Sequence, residues 1–272
     1  MAHDSTLIRL LHGIWNWAKG AWYVLRGIKE FFVHPSLWLY AIIPFVCVKV
    51  VFFLISKFML VVVFIPLVER FREYLLGVTG GNELIASLGE KAFFIILAVV
   101  LLVFCASVAS ALFEIFGSPF FAWMVKRYER MTYKDIPMDG PTVRQDVKNA
   151  FCCIAYSLGT VFYSLLVFAV GLLIPIVGQL LAIAFIGYRY GVSYSCEAGF
   201  NRGFTLKEFS TYFKSIHRMM MFGFGSTCFL ILLVPFVAIL LIPGLVIGGT
   251  IFVNEMLAKD SQAEINGAER MD

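Results

Sequence analysis

The sequence predicts an all-α integral membrane protein with two long transmembrane helices, two Pro/Gly-broken re-entrant helical hairpins and interfacial amphipathic helices. Three observations predict it. Apolar residues make up 60% of the 272 and charged residues only 15%, where soluble domains run near half apolar and a quarter charged. Four hydrophobic blocks, at 37–68, 92–125, 150–186 and 219–257, each exceed the ~20 residues that cross a hydrocarbon core of ~30 Å. No block alternates with the period of a barrel strand, so helices satisfy the backbone in lipid.

Residues 1–36 form an N-terminal interfacial segment. Leu7, Leu11, Ile14, Trp15, Ala18 and Trp22 fall on one helical face, with Arg9, Asn16 and Lys19 away from it, which predicts an amphipathic helix over 6–24 lying flat at the membrane surface. The charges interrupt any apolar core, so this is not a cleavable signal. A Phe-rich turn follows, and His34-Pro35-Ser36 opens the next helix, with Pro tolerated in the first turn and Ser36 a capping residue.

One membrane domain is predicted over 37–258. The first span, 37–68, is 32 residues, about 48 Å of helix, and so tilts, kinks near Pro44 or protrudes. A charged linker, 69–91, leads to the second span, 92–125, broken at Gly117-Ser118-Pro119. The hairpins occupy about 150–187, with Pro175-Ile176-Val177-Gly178 at its centre, and 219–257, with Pro235 and Pro243-Gly244. Their apices carry no charge, which suits a turn packed inside the membrane; two full spans joined by a tight apolar turn are the alternative. Leu172-Leu173-Ile174-Pro175 recurs as Leu232-Leu233-Val234-Pro235, and each second arm has a small-xxx-small step, Gly187/Gly191 and Gly244/Gly248, of the kind that lets helices approach closely. Between the hairpins, 188–218 interleaves Phe204, Phe209 and Phe213 with polar residues as an amphipathic linker. The polar tail, 259–272, is expected to be disordered.

Charge sets the sidedness. Segments 1–36, 126–148 and 188–218 hold four, six and five basic residues, against three in 69–91. The first three therefore belong on the cytoplasmic side, with both termini inside. The tryptophans Trp15, Trp17, Trp22, Trp38 and Trp123 fall near the same face, as an aromatic belt would.

Several function classes are excluded. A net charge of +4 is too small for a nucleic-acid binder, and no phosphate loop or nucleophile elbow is present. Cys47, Cys105, Cys152, Cys153, Cys196 and Cys228 lack CxxC spacing and read as small buried apolar residues. The four histidines show no metal-ligand spacing, so no metal or cofactor is expected. No catalytic constellation converges, and the chain reads as a non-enzyme. Ionisable and polar groups inside the spans are the pore or gate candidates: Lys49, Glu114 and Ser118, with Lys57 nearer the interface. The entry to the first span, Ser36 and Leu37 with Arg26, Lys29 and His34, is the candidate anion site, because a helix N-terminus offers free N–H groups.

The order and spacing of several motifs resemble the CysZ-type sulfate permeases within the etoposide-induced 2.4 protein family. They are Gly27-Ile28-Lys29, His34-Pro35, Ile43-Pro44, Gly117-Ser118-Pro119-Phe120, Ile174-Pro175-Ile176-Val177-Gly178-Gln179, Glu197, Phe200-Asn201-Arg202 and Lys207-Glu208. The resemblance implies an oligomeric channel or permease of a bacterial inner membrane that passes sulfate inward for cysteine biosynthesis. Its partners would be lipids, sulfate or a similar anion, and further copies of itself. Family sulfate contacts fall at the entry to the first span, in a stretch with two arginines; this chain reads Ser36-Leu37-Trp38-Leu39 there. Backbone amides near Ser36 and Leu37, helped by Arg26, Lys29 or His34, would then carry the anion. A non-transporting protein of the same fold that organises lipid or partner proteins is the other reading.

Overall fold

The computed structural model describes residues 2–78, 80, 83–133, 145, 148–149, 151–156, 158–160, 162–163, 175–232 and 234–268. The side chains of 2–10, 85–86, 99–111, 114–115, 175–185, 235–236, 239 and 264–268 lie outside the description. Every element described is helical: α1 (Ala2–Val33), a 3-10 turn (Pro35–Leu37), α2 (Trp38–Met59), a π turn (Leu60–Phe64), α3 (Ile65–Val78), α4 (Glu83–Thr132), α5 (Pro175–Phe200), α6 (Leu206–Ile216), α7 (Arg218–Leu232) and α8 (Pro235–Ala268). Among the described residues two helical runs, Pro35–Val78 and Leu240–Ala263, are long and apolar enough to cross a membrane, and the predicted second span falls within the 50-residue α4. The chain divides into two compact units, residues 43–116 and residues 1–42 with 117–272.

The 43–116 unit is a long helical hairpin. The first span does not stop at residue 68. Helix continues to Val78 through the π turn at Leu60–Phe64, with Pro44 accommodated inside α2. The predicted linker 69–91 is therefore mostly helix, its charges spread over α3 and the start of α4. Gly80, at φ +61°, supplies the left-handed residue of the turn, a conformation glycine adopts without a Cβ penalty. Phe71 stacks on Phe93 (4.0 Å), Phe64 meets Phe94 edge-on (5.1 Å), and Arg72 pairs with Glu90 (3.4 Å). These pairs are centred on residues 79–82, so the arms run antiparallel.

In the other unit, α1 packs against α7 and α8. It runs past the predicted 6–24 to Val33, and Tyr23, Val24 and Phe31 are buried. Glycine makes this possible. A Cβ on Gly27 would lie 2.2 Å from Gly248 of α8, and one on Gly20 would lie 2.0 Å from the Met220 carbonyl of α7. The second-arm glycine steps work the same way. Gly187 and Gly191 of α5 receive Gly225 of α7, whose Cβ would meet the Gly187 carbonyl at 1.8 Å, and Gly244 and Gly248 face Ile28 and Tyr23 of α1. Close backbone approach maximises dispersion contact where no hydrophobic effect drives association in lipid.

In both predicted hairpins the two arms pack against each other. Cys153 meets Cys196, and Arg189 meets Thr160, two contacts centred between residues 174 and 175, beside Pro175. In the second hairpin Asp260 accepts hydrogen bonds from Tyr212 (2.5 Å) and from His217 Nε2 (2.8 Å), and Phe224 stacks on Phe252 (5.9 Å). These are centred near residues 236–239, close to the interruption before Pro235. Pro243 is no apex: it lies inside α8, where buried Ile242, Leu245 and Ile247 hold the helix across the missing N–H. The expected break at Gly117-Ser118-Pro119 is also absent, since α4 is continuous and Phe121 folds its ring over Gly117. Nor is the tail disordered from 259: α8 continues to Ala268, anchored through Asp260.

The predicted linker 188–218 divides: residues 188–200 continue α5, and the amphipathic helix with the aromatic spacing is α6 alone. Thr205 and Glu208 form a reciprocal capping box at the start of α6, Phe209 and Phe213 are buried, and the chain bends by 112° into α7.

Close glycine contact sets an expectation for stability. Gly225→Ala should destabilise the detergent-solubilised protein by about 1–3 kcal/mol through overpacking. Gly77→Ala, which meets nothing within 4 Å, should stabilise it by about 0.5–1 kcal/mol. Thermal unfolding of the pair checks this, and equal shifts would contradict it.

Candidate functional site

The basic-rich segments meet at one end of the α1–α8 unit, although their sequence separations hide it. Arg26 of α1 forms an ion pair with Glu255 of α8, and Tyr23, one turn earlier, donates to the other oxygen of that carboxylate at 2.8 Å. Glu30 and His34 continue the same face of α1 at i+4 spacing. His34 Nδ1 lies 2.9 Å from the Glu30 carbonyl and 3.4 Å from its carboxylate, and the ring stands edge-on to Tyr128.

Beside this strip lies a buried polar network. Glu129 of α4 is 2% exposed. It accepts hydrogen bonds from Asn201 (2.8 Å) and Asn254 (2.9 Å), one on each oxygen, while Arg202 donates to the Asn254 side-chain oxygen. Burial pushes the Glu129 carboxyl above its ordinary range, opposed by the two amide hydrogen bonds and by the Arg202 charge. The same burial lowers the Arg202 guanidinium. The end of the unit is thus lined by Arg26, Glu255, Arg202 and Glu129, with amide and phenol groups between them.

The sequence-predicted anion residues only partly converge. Arg26 and His34 lie on the strip, each with an acidic neighbour, but Lys29 is exposed on another face of α1. Leu37 is buried, and its N–H donates to the His34 carbonyl at 3.0 Å. The Trp38 N–H likewise goes to Pro35. The 3-10 turn therefore consumes two of the amides that the helix entry was expected to offer. Ser36 is exposed and does not cap; its hydroxyl faces the Met131 sulfur at 3.8 Å. Of the gate candidates, Lys49 is exposed on α2. Ser118 is buried with no hydrogen-bond partner for its hydroxyl, and the Glu114 side chain falls outside the described residues.

The Glu129–Asn201–Asn254 network was not read from the sequence, because its partners lie 72 and 125 residues apart. A signal existed: Asn254 and Glu255 interrupt an apolar block, and polar groups there need partners. The cysteines also depart from expectation, with Cys153 and Cys196 meeting at 3.0 Å across the first hairpin and Cys47 and Cys152 exposed.

Long apolar helices, glycine-lined contacts and charged groups collected at one end define a helical membrane protein. Residues 23–243 match the model of the sulfate transporter CysZ/etoposide-induced protein 2.4 family. The match covers most of the chain, which therefore belongs to that family. A search of curated proteins finds no match.

Glu129→Gln tests the network. A Gln amide turns one of the two accepting faces into a donor opposite an Asn donor. The variant should lose about 1–3 kcal/mol of stability, read as a lower unfolding temperature in detergent; Glu129→Asp should restore little of it. An unchanged midpoint would contradict the buried arrangement.

Proposed function

We propose that the chain is a permease for a small anion, sulfate first, driven by the gradient of that anion. Membership of the sulfate transporter CysZ/etoposide-induced protein 2.4 family supports the class, and the pairing of arginines with carboxylates carries the site. An oxyanion such as sulfate has the donor demand of a carboxylate and competes for the same guanidinium groups. Arg26, partly exposed and held by Glu255, is the entry ligand, with Lys29 and His34 raising the local potential. Ser36 and Leu37 shape the turn beside it, while Lys49, Glu114 and Ser118 belong to the path. The basic-rich end faces the cytoplasm, both termini inside, and the hairpins turn within the bilayer of an inner membrane. The sulfate taken up supplies cysteine synthesis. Further copies of the chain cover the apolar face of Pro35–Val78, only 6% of whose most apolar window is buried by the chain itself.

A second reading has its own observation. Arg26 and His34 already have intramolecular carboxylates, and the turn amides are used, which fits a non-transporting membrane protein that organises lipid or partners.

Uptake of radiolabelled sulfate into liposomes holding the purified protein separates the two. Saturable uptake is expected, with Arg26→Ala raising the half-saturating concentration roughly 10–100-fold, as the loss of a charge-assisted hydrogen bond of about 1.5–3 kcal/mol requires. Monodisperse protein with no uptake above empty liposomes would support the second reading.

A further inference from the structure

The first hairpin holds a cluster that anion transport does not use. Cys153 on the entering arm and Cys196 on α5, 43 residues apart in sequence, are both buried with their sulfurs 3.0 Å apart. Glu197 follows on α5, and one ligand atom from each of the three lies within 4.8 Å of the others. Two turns deeper the same two arms are joined again: the Arg189 guanidinium covers the Tyr156 ring at 4.5 Å, and its Nε donates to Thr160 at 3.0 Å. The open end of the hairpin is therefore held in register independently of the cysteines.

Two bonds could join the sulfurs. A disulfide needs about 2.05 Å between them. Two thiolates on one tetrahedral ion, at about 2.3 Å each, stand about 3.8 Å apart. Each is a shift of about 1 Å or less from what is seen, so distance does not choose between them; the carboxylate does. A disulfide joins the two sulfurs alone, whereas a cation uses all three converging groups. We infer that Cys153, Cys196 and Glu197 bind a borderline-soft divalent metal ion of the zinc type, which clamps the open end of the first hairpin. Sulfur with one carboxylate suits such an ion, whereas magnesium or calcium takes oxygen throughout. The entering ion displaces one proton from each thiol, so two protons leave and the loaded site carries a single negative charge. Water takes the fourth position. The neighbouring Cys152 and Tyr156 line a cavity with Asn149, Phe204 and Lys207.

The test uses the full chain, purified in detergent with reductant, then titrated with Co²⁺ and afterwards Zn²⁺. The expected result is a thiolate-to-cobalt charge-transfer absorption that saturates near one ion per chain and is bleached by Zn²⁺. Cys153→Ala and Cys196→Ala should each abolish it, and Glu197→Gln should weaken binding on the order of tenfold or more. If the cysteine variants fail to fold, the wild-type titration decides alone. Folded wild-type protein without the charge-transfer band, or a Cys196→Ala variant that keeps it, overturns the inference. So does a Cys153–Cys196 disulfide found by non-reducing peptide mapping.

Discussion

Backbone-to-backbone contact through glycine is the constraint on which the α1–α8 unit depends. Gly20 and Gly27 of α1, Gly187 and Gly191 of α5, Gly223 and Gly225 of α7 and Gly244 and Gly248 of α8 sit where a methyl group would strike a neighbouring main chain or Cα. Lipid is as apolar as leucine, so burying side chains gains little there, and contact density has to come from closeness. That closeness brings the ends of four helices together tightly enough for single side chains to link them.

What they link is charge. The ends of α1, α4, α5 and α8 bring Arg26, Glu129, Arg202 and Glu255 into one region, and each finds a partner: Arg26 with Glu255, Glu129 with two asparagines, Arg202 with Asn254. Partly desolvated ions demand this, since an unpaired one costs several kcal/mol. On the proposed function, an anion entering here would have to offer a guanidinium as much as a carboxylate does, or leave a charge unmet.

Much of the architecture was legible because it is written in local signals. Hydropathy marks the long helices, Pro235 marks the start of α8 after an interruption, and the Gly187/Gly191 and Gly244/Gly248 steps mark the helix contacts. Local signals also misled. Pro44, Pro119 and Pro243 read as kinks or breaks, but each lies within a continuous helix, because burial and neighbouring turns outweigh one missing hydrogen bond. Charges at 69–91 and 259–272 read as loop and disorder, yet residues 69–78, 83–91 and 259–268 are helical, with ion pairs and hydrogen bonds to hold them. The site was least legible, since Glu129 and Asn254 or Arg26 and Glu255 become neighbours only through the fold. Reflecting the first hairpin about the midpoint between residues 174 and 175 would have paired Cys153 with Cys196; reading the cysteines one at a time did not.

The central claim is that this arrangement conducts a divalent oxyanion, and the reversal potential of the purified protein in a planar bilayer tests it most directly. Under a tenfold sulfate gradient with impermeant cations, the account predicts a current reversing about 30 mV from zero, on the side set by sulfate, as a doubly charged ion requires. Folded protein giving no current, or a current reversing at the potential of the cation, would contradict it.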